Sequence, residues 1–283
     1  MNKICWANTN DFEDADFVIV GVPDESQSHA LRQGTADAPY KIREISHQRD
    51  SYNRGGKTSL GLPFSYTNQK KVYDYGNIDR VQIDEVFDQI LSKSKIPITI
   101  GGDHSITTHV LKAISNSIGK FSLVYFDAHP DFVSSMKNYY GSVIYDSLPH
   151  IDIDSSVQIG IRTPEKEELD NIKKYNLNVI TPFDIAEKGL EKISELILNN
   201  VGEKVYVSFD MDCIDPSYAP GVSVPVPMGL NTVYAVYLLI KIAKHGIVGM
   251  DIMEVCPDFD IKDRTSHLAS RIISEVIFAT DLK

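Results

Sequence analysis

Short, almost continuously apolar segments alternate along this chain with stretches of helical periodicity, and no other feature constrains its fold as strongly. The apolar runs are Phe17–Val22, Ile96–Ile100, Phe121–Phe126, Val157–Ile161, Asn178–Ile180, Val205–Phe209 and Ile247–Ile252. A strand with one wet face alternates apolar and polar residues. Several of these read apolar at nearly every position, as strands covered on both faces do. Between them lie amphipathic patterns at Ala38–Ser46, Ile83–Ser92, Ile106–Ser117, Pro164–Tyr175, Leu190–Asn199, Val233–Lys244 and Thr265–Ala279. Pro39 suits a first helical turn, and Asn231 stands where an N-cap would for the penultimate helix. Strand and helix in alternation predict right-handed crossovers and an α/β fold whose mainly parallel central sheet is covered by helices on both faces. With no repeat, low-complexity tract or linker, residues 1–283 are expected to form one domain.

The places where these strands end carry the chemistry. Ile96–Ile100 runs into Gly101-Gly102-Asp103-His104-Ser105, and Phe121–Phe126 runs into Asp127-Ala128-His129-Pro130-Asp131. Val205–Phe209 runs into Asp210-Met211-Asp212-Cys213-Ile214-Asp215-Pro216, and the last strand ends in Met253-Glu254-Val255. In an open parallel sheet the ligand site lies beyond the carboxyl ends of the strands. Four strands therefore deliver carboxylates and imidazoles to one edge.

Alternate residues of an extended chain point the same way, so Asp127, His129 and Asp131 can face one point, as can Asp210 and Asp212. His104 comes from a third strand end. Four carboxylates and two imidazoles converging without Lys or Arg repel one another unless cations intervene, and six ligands exceed the need of one tetrahedral ion. Two metals with bridging carboxylates fit the count, about 3.5–4 Å apart. Oxygen-rich ligation with some imidazole and no thiolate favours two Mn²⁺, with Fe²⁺ or Zn²⁺ as substitutes. Taken singly the pieces read differently: GGDHS alone could be a strand-to-helix turn in which Ser105 caps the following helix.

Charge and cysteine content narrow the partners. Lys and Arg total 28 against 39 Asp and Glu, a net charge of −11, which argues against nucleic acid or an anionic membrane and suits a small cationic ligand. Cys5, Cys213 and Cys256 are odd in number and lack CxxC spacing, so reduced thiols in a cytoplasmic protein are expected, none of them a nucleophile. No signal-peptide-like start and no apolar run of membrane-spanning length is present.

In that order, GGDHS, DAHPD and SFDMDCIDPSYAPG resemble the three signature motifs of the ureohydrolases, the arginase and agmatinase family. The likeness extends over most of the chain. GVPDESQSHALRQGTADAPYKIRE is similar to the family's G-V-P segment followed by R-x-G and G-P-x-x-I-R, with Asp37-Ala38-Pro39 in place of the usual glycine-proline. Asp74-Tyr75-Gly76-Asn77 is like its D-x-G-D, QIGIRTPEKEE like its Q-I-G-I-R, and DIMEVCP like its D-[IV]-x-E-[VI]-x-P. The resemblance implies a three-layer arginase-like fold and an agmatinase-like enzyme that releases urea and an amine. It implies that His104, Asp127, Asp131 and Asp210 hold one Mn²⁺ and that Asp127, His129, Asp210 and Asp212 hold the other, with Asp127 and Asp210 bridging. A hydroxide between the metals would attack the guanidinium carbon, Asp131 would orient it and pass a proton, and Glu254 would grip the guanidinium by paired hydrogen bonds. Asp215 is expected to be structural, closing the turn before Pro216. The family's members are commonly homo-oligomers, trimers or hexamers.

Two departures bear on substrate and turnover. Tyr140 stands where many relatives carry a proton-handling histidine, and Ser223-Val224-Pro225-Val226-Pro227-Met228-Gly229 replaces the more common G-T-P-x-P-G-G. The alternatives are a formimidoylglutamase-like or other guanidino-acid hydrolase, and a metal-binding member with weak or no catalysis. The first needs a cation to meet substrate carboxylates, and the loop after Asp131 offers only Lys137. A binuclear metallophosphatase would need GNH[ED] and G-H-x-H segments, and neither occurs.

Overall fold

Strands whose residues are buried at every position can lie only inside a sheet with both faces covered, and β1 (Phe17–Gly21) is the first of them. The computed structural model describes residues 3–48, 53–54, 57–58 and 70–282. After β1 come the two-residue strands β2 (Asn53–Arg54) and β3 (Lys57–Thr58), paired with each other, and then β4 (Val72–Asn77). They are followed by β5 (Ile96–Ile100), β6 (Ser122–Phe126), β7 (Val157–Ile159), β8 (Asn178–Ile180), β9 (Val205–Asp210) and β10 (Gly249–Met253). Eight of the ten form one sheet in the order β4-β1-β5-β10-β9-β6-β7-β8, every neighbouring pair parallel. The central strands β6, β9 and β10 are buried throughout, whereas the edge strands β4 and β8 are partly open.

Nine α-helices are described: α1 (Ala38–Ser46), α2 (Ile83–Ser92), α3 (Ile106–Ile118), α4 (Val143–Ser147), α5 (Lys166–Lys174), α6 (Pro182–Lys188), α7 (Leu190–Asn200), α8 (Thr232–His245) and α9 (Arg264–Ala279). The period-2 side-chain alternation divides the interior into two cores. Phe17, Ile19, Val124, Phe126, Val205, Val207 and Phe209 face one core with α1, α7, α8 and α9. Val18, Val20, Leu123, Tyr125 and Tyr206 face the other with α2, α3 and α4. The three-layer α/β arrangement matches the sequence reading, and so do the Asn231 cap, which accepts from the Val233 amide, and Pro39 in the first turn of α1.

Besides the two-residue pair β2–β3, three elements escape the sequence reading. The edge strand β4 reads VYDYGN, too polar to resemble the buried runs. Helix α4 has five residues, too few to repeat a 3.6-residue apolar pattern, and α6 has seven, held by a Thr181–Asp184 capping box. Ser105 does not cap α3: its hydroxyl turns back to Asp103, and Arg80 donates to it at 2.8 Å. Asp215 is structural, as expected, accepting from the Ser217 and Gly229 amides at 3.0 Å each.

Two motif fragments prove to be one buried ion pair. Arg43 on α1 donates Nε and Nη2 to the two Asp74 oxygens of β4, both at 2.9 Å, and the side chains are 1% and 0% exposed. Asp74 also accepts from the Ile4 amide at 2.7 Å, and Arg43 donates to the carbonyls of Pro39 and Gly76. A pair so fully hydrogen-bonded is tolerated in the interior, but removing one partner strands the other charge. Asp74→Asn is expected to lower stability by about 3–5 kcal/mol, read from denaturant unfolding. An unchanged midpoint would show the pair contributes nothing.

Candidate metal centre

The four central strands, β5, β10, β9 and β6, are the four that carry the candidate residues. They are not consecutive in the chain. After β5 the chain crosses to β6 and winds outward to β8, and only then do β9 and β10 fill the gap. Such a reversal opens a crevice at the carboxyl ends of the strands. Leu123 and Tyr125 face the α2–α3 core, and so does Tyr206. Continued alternation therefore turns Asp127 and Asp210 to that same side, toward His104 at the entry to α3.

The six predicted ligands converge. His104 Nδ1 lies 3.0 Å from Asp127 Oδ2, 3.0 Å from Asp210 Oδ2 and 3.4 Å from Asp131 Oδ2. His129 Nδ1 lies 2.9 Å from Asp212 Oδ2 and 3.4 Å from Asp127 Oδ1. Two donor groups result, His104–Asp127–Asp210 and Asp127–His129–Asp212, each with its atoms within 4.8 Å of one another. Asp127 belongs to both, as a bridging ligand must. Asp210 belongs to the first and accepts the Asp212 amide at 2.7 Å, while Asp131 stands beside the first through His104. The first group is buried on every side, and the second opens outward at His129, whose side chain is 25% exposed.

The donor set suits cations. Asp127 Oδ2 is a buried carboxylate oxygen with no hydrogen-bond donor among the described residues, since the 3.0 Å approach of His104 Nδ1 lacks hydrogen-bond geometry. Leaving such an oxygen unpaired is costly, and a positive charge is what it lacks. Burial, followed by the Asp127 charge, pushes Asp131 well above the usual carboxylate range; burial, followed by Asp212 and then Asp127, does the same to Asp210. Burial alone would lower His104, but Asp127 and Asp210 outweigh it and raise its imidazole well above the ordinary value. Oxygen ligands with two imidazoles suit hard divalent ions. The nearby Cys213 offers no thiolate, because burial and then Asp212 and Asp210 push its pKa well up.

Side chains that sequence reasoning missed hold the ligands in place. His104 Nε2 meets Ser208 Oγ at 2.9 Å, and Ser208 donates to Asp251 Oδ1 at 2.7 Å. Because that hydroxyl proton is committed to Asp251, Ser208 accepts from Nε2–H, so in the neutral ring that a bound cation would require Nδ1 is the nitrogen left free to ligate, facing the carboxylates. Asp251 is further fixed by Tyr206 at 2.8 Å and Thr107 at 2.9 Å. Tyr125 stacks on the His104 ring at 4.7 Å and donates to Asp131 Oδ2 at 2.6 Å. The available signal was a polar residue inside an apolar run, two positions before a ligand: Tyr125 before Asp127, Ser208 before Asp210. Ser208→Ala and Asp251→Asn are each expected to weaken metal affinity by about 10–100-fold. Titration with Mn²⁺ measures this, and wild-type affinity in both variants would assign the chain to packing alone.

Glu254 sits at the end of β10, 2% exposed, accepting from the His104 amide at 2.8 Å and from the Ser223 hydroxyl. Burial, with the Asp103 charge second, raises its carboxyl to about 8. Asp131 and Glu254 both hold left-handed backbone, φ 47° and 64°, a conformation costing about 1–3 kcal/mol each that non-glycine residues keep mainly at functional sites. Neighbouring segments enforce it. The Gly102 carbonyl accepts the Glu254 amide at 3.0 Å, and a Cβ on Gly102 would lie 1.9 Å from the Asp24 carbonyl oxygen. Beyond Asp131, the loop is clamped by α5, whose Glu168 accepts the Phe132 amide and whose Glu167 accepts the Ser134 and Ser135 amides and hydroxyls.

Tyr140 reaches the rim of this crevice. Its ring meets Tyr139 edge-on at 5.6 Å and His29 at 6.1 Å. Burial, then Asp131 and Glu254, raise its phenol above the ordinary value. Tyr145 packs on Phe132, beneath the Lys137 ammonium. Of the cysteines, Cys256 is pushed to about 12 by burial and then Glu254, and burial raises Cys5 as well, so neither is poised as a nucleophile.

Comparison with known proteins agrees with this fold. The model of the arginase family matches residues 15–279. An agmatinase from Citrobacter koseri is 32% identical over 277 residues, spanning 94% of this chain and 87% of that one. The crystal structure of the agmatine ureohydrolase of Thermoplasma volcanium superposes with a TM-score of 0.85 at 29% identity, covering 99% of this chain and 94% of that one. The proclavaminate amidino hydrolase from Streptomyces clavuligerus superposes at 0.88 with 27% identity, covering 99% and 96%.

Proposed function

The chain belongs to the arginase family, and from that membership we propose that it is a binuclear-manganese hydrolase cleaving an agmatine-like guanidino compound to urea and an amine. The observation that carries this reading is the pair of donor groups sharing Asp127, set beside a buried glutamate at the same sheet edge. His104, Asp127, Asp131 and Asp210 would hold one cation, and Asp127, His129, Asp210 and Asp212 the other. Bound there, the two ions would supply the Lewis acidity that brings the pKa of water toward neutrality. A guanidinium is resonance-stabilised and cationic, hence a poor electrophile, and the surrounding carboxylates favour it electrostatically. Glu254 receives the guanidinium, whose charge favours the ionised carboxylate that burial disfavours. Asp131, already hydrogen-bonded by Tyr125, orients the attacking water and carries a proton to the departing amine. Tyr140 lines the path of that amine.

No described helix is long and apolar enough to cross a membrane. The acidic balance and the unpaired cysteines support a cytoplasmic protein that engages neither nucleic acid nor membrane. The family resemblance adds assembly with its own copies, as a trimer or hexamer.

The test is urea release by the Mn²⁺-loaded protein across a guanidine panel. Arginase-like reading of an α-carboxylate calls for Asn and Ser groups in a pattern that the loop from Phe132 to Gly141 does not reproduce. Agmatine is therefore expected to give a higher kcat/KM than arginine. A preference for arginine, formimidoylglutamate or 4-guanidinobutyrate would reverse the substrate assignment, and absence of urea from every guanidine would leave a metal-binding protein without turnover.

A further inference from the structure

Two loops from different strands meet at the crevice mouth. The loop after β1 joins the loop after β6 where the Tyr140 amide donates to the Gln27 carbonyl at 3.4 Å. Gln27 is itself fixed to the GGDHS turn, its amide donating to Asp103 at 3.2 Å and its side chain accepting from Arg80 at 2.8 Å. This junction brings three rings together. His29 stacks on Tyr139 with centroids 5.2 Å apart and an interplanar angle of 24°, and Tyr140 stands edge-on to both.

Most of the charges acting on these rings are negative, with His129 opposing them at Tyr140. The phenol of Tyr139 is pushed up to about 12 by burial and then by Asp131, Glu168 and Glu165, and that of Tyr140 is raised by burial and then Asp131 and Glu254. The arginines described near the rim are committed elsewhere. Arg80 is held by Asp24, Asp103, Gln27 and Ser105, and Arg162 donates to the carbonyls of Gly160, Asp212, Cys213, Val226 and Pro227. Arg32 lies over the Phe259 ring at 5.0 Å, and Lys137 over Tyr145 at 5.3 Å. Aromatic faces in a negative field favour a cation over a carboxylate.

Resting on the function proposed above, we infer that His29, Tyr139 and Tyr140 form the seat for the far end of the substrate, and that this end is an alkylammonium. Tyr139 and Tyr140 supply ring surface, and His29 braces the Tyr139 ring from a separate loop. Specificity at the far end is thereby set by a residue outside all three metal-binding motifs.

The experiment compares agmatine with butylguanidine, which has the same chain length but no ammonium, in wild type and in His29→Ala, Tyr139→Ala and Tyr139→Phe. In the wild type the KM for agmatine is expected to lie about tenfold below that for butylguanidine, the range of a partly desolvated cation–π contact. His29→Ala and Tyr139→Ala should erase this difference by raising the agmatine KM, with butylguanidine changing less than about twofold. Tyr139→Phe keeps the ring and should retain the preference. Equal changes for both guanidines, an unchanged agmatine KM, or a wild-type preference for 4-guanidinobutyrate would overturn the seat. If neither guanidine releases urea, the proposed function fails separately. The seat is then judged by calorimetric titration of the same two compounds into the Mn²⁺-loaded protein, with the same tenfold difference expected and equal affinities overturning it.

Discussion

Asp127→Asn is expected to abolish urea release and to leave the purified protein with fewer than one bound ion per chain under Mn²⁺-replete conditions. Asp127 is the only residue common to the two donor groups, with Oδ2 toward His104 and Oδ1 toward His129. The substitution replaces one anionic oxygen by an amide nitrogen, which donates rather than accepts and cannot ligate a cation. One ion loses its ligand oxygen and the other keeps only a neutral carbonyl in place of a carboxylate, so the activity loss should exceed the about 10–100-fold typical of a supporting residue. His104→Asn touches one group only and should release mainly one ion. Because a cation bound to the native state stabilises it by mass action, chelation should lower the wild-type Tm and have a much smaller effect on Asp127→Asn. Elemental analysis, urea release and a melting curve with and without chelator report on these points. Two ions retained by Asp127→Asn would exclude the shared-ligand arrangement.

Tyr140→His is expected to raise kcat near pH 7, and Tyr140→Phe to lower it, with metal content unchanged in both. An imidazole with an ordinary pKa of about 6.5 exchanges protons near neutrality, whereas a phenol starts at about 10. Burial and the Asp131 and Glu254 charges raise Tyr140 further. The wild-type phenol therefore holds its proton at neutral pH and serves as a hydrogen-bond donor, leaving the proton transfer to Asp131. General acid–base assistance is worth about 10²–10⁴-fold, which bounds the gain open to the histidine variant. A phenol donates only while protonated, so the wild-type rate should hold through neutral pH and fall as pH rises through the raised Tyr140 pKa. Tyr140→Phe should remove that alkaline fall. If Tyr140→Phe keeps full activity across the pH range, Tyr140 only packs against Tyr139 and His29.

The local pattern of this chain determined its layered architecture and brought its candidate metal ligands to one edge, for one reason: both are written in short-range periodicity. Continuous apolar runs such as Phe121–Phe126 and Val205–Phe209 can be satisfied only between two helical layers. The residues that follow them, Asp127, His129, Asp131, Asp210 and Asp212, are carried to one edge because parallel strands all end there. The tertiary structure decided whatever depends on strand order. Nothing local places β10 and β9 between β5 and β6, yet that order sets Glu254 beside His104 and makes Asp127 common to two donor groups. The same holds for Ser208 and Asp251, which read as ordinary strand residues until β9 and β10 pair with Ser208 opposite Asp251. His29 is the extreme case: 110 residues separate it from Tyr139, and only the meeting of two loops above the sheet puts one ring on the other. A side chain's type fixes what it can bind, but the field in which it binds is summed over neighbours that the chain brings together only by folding.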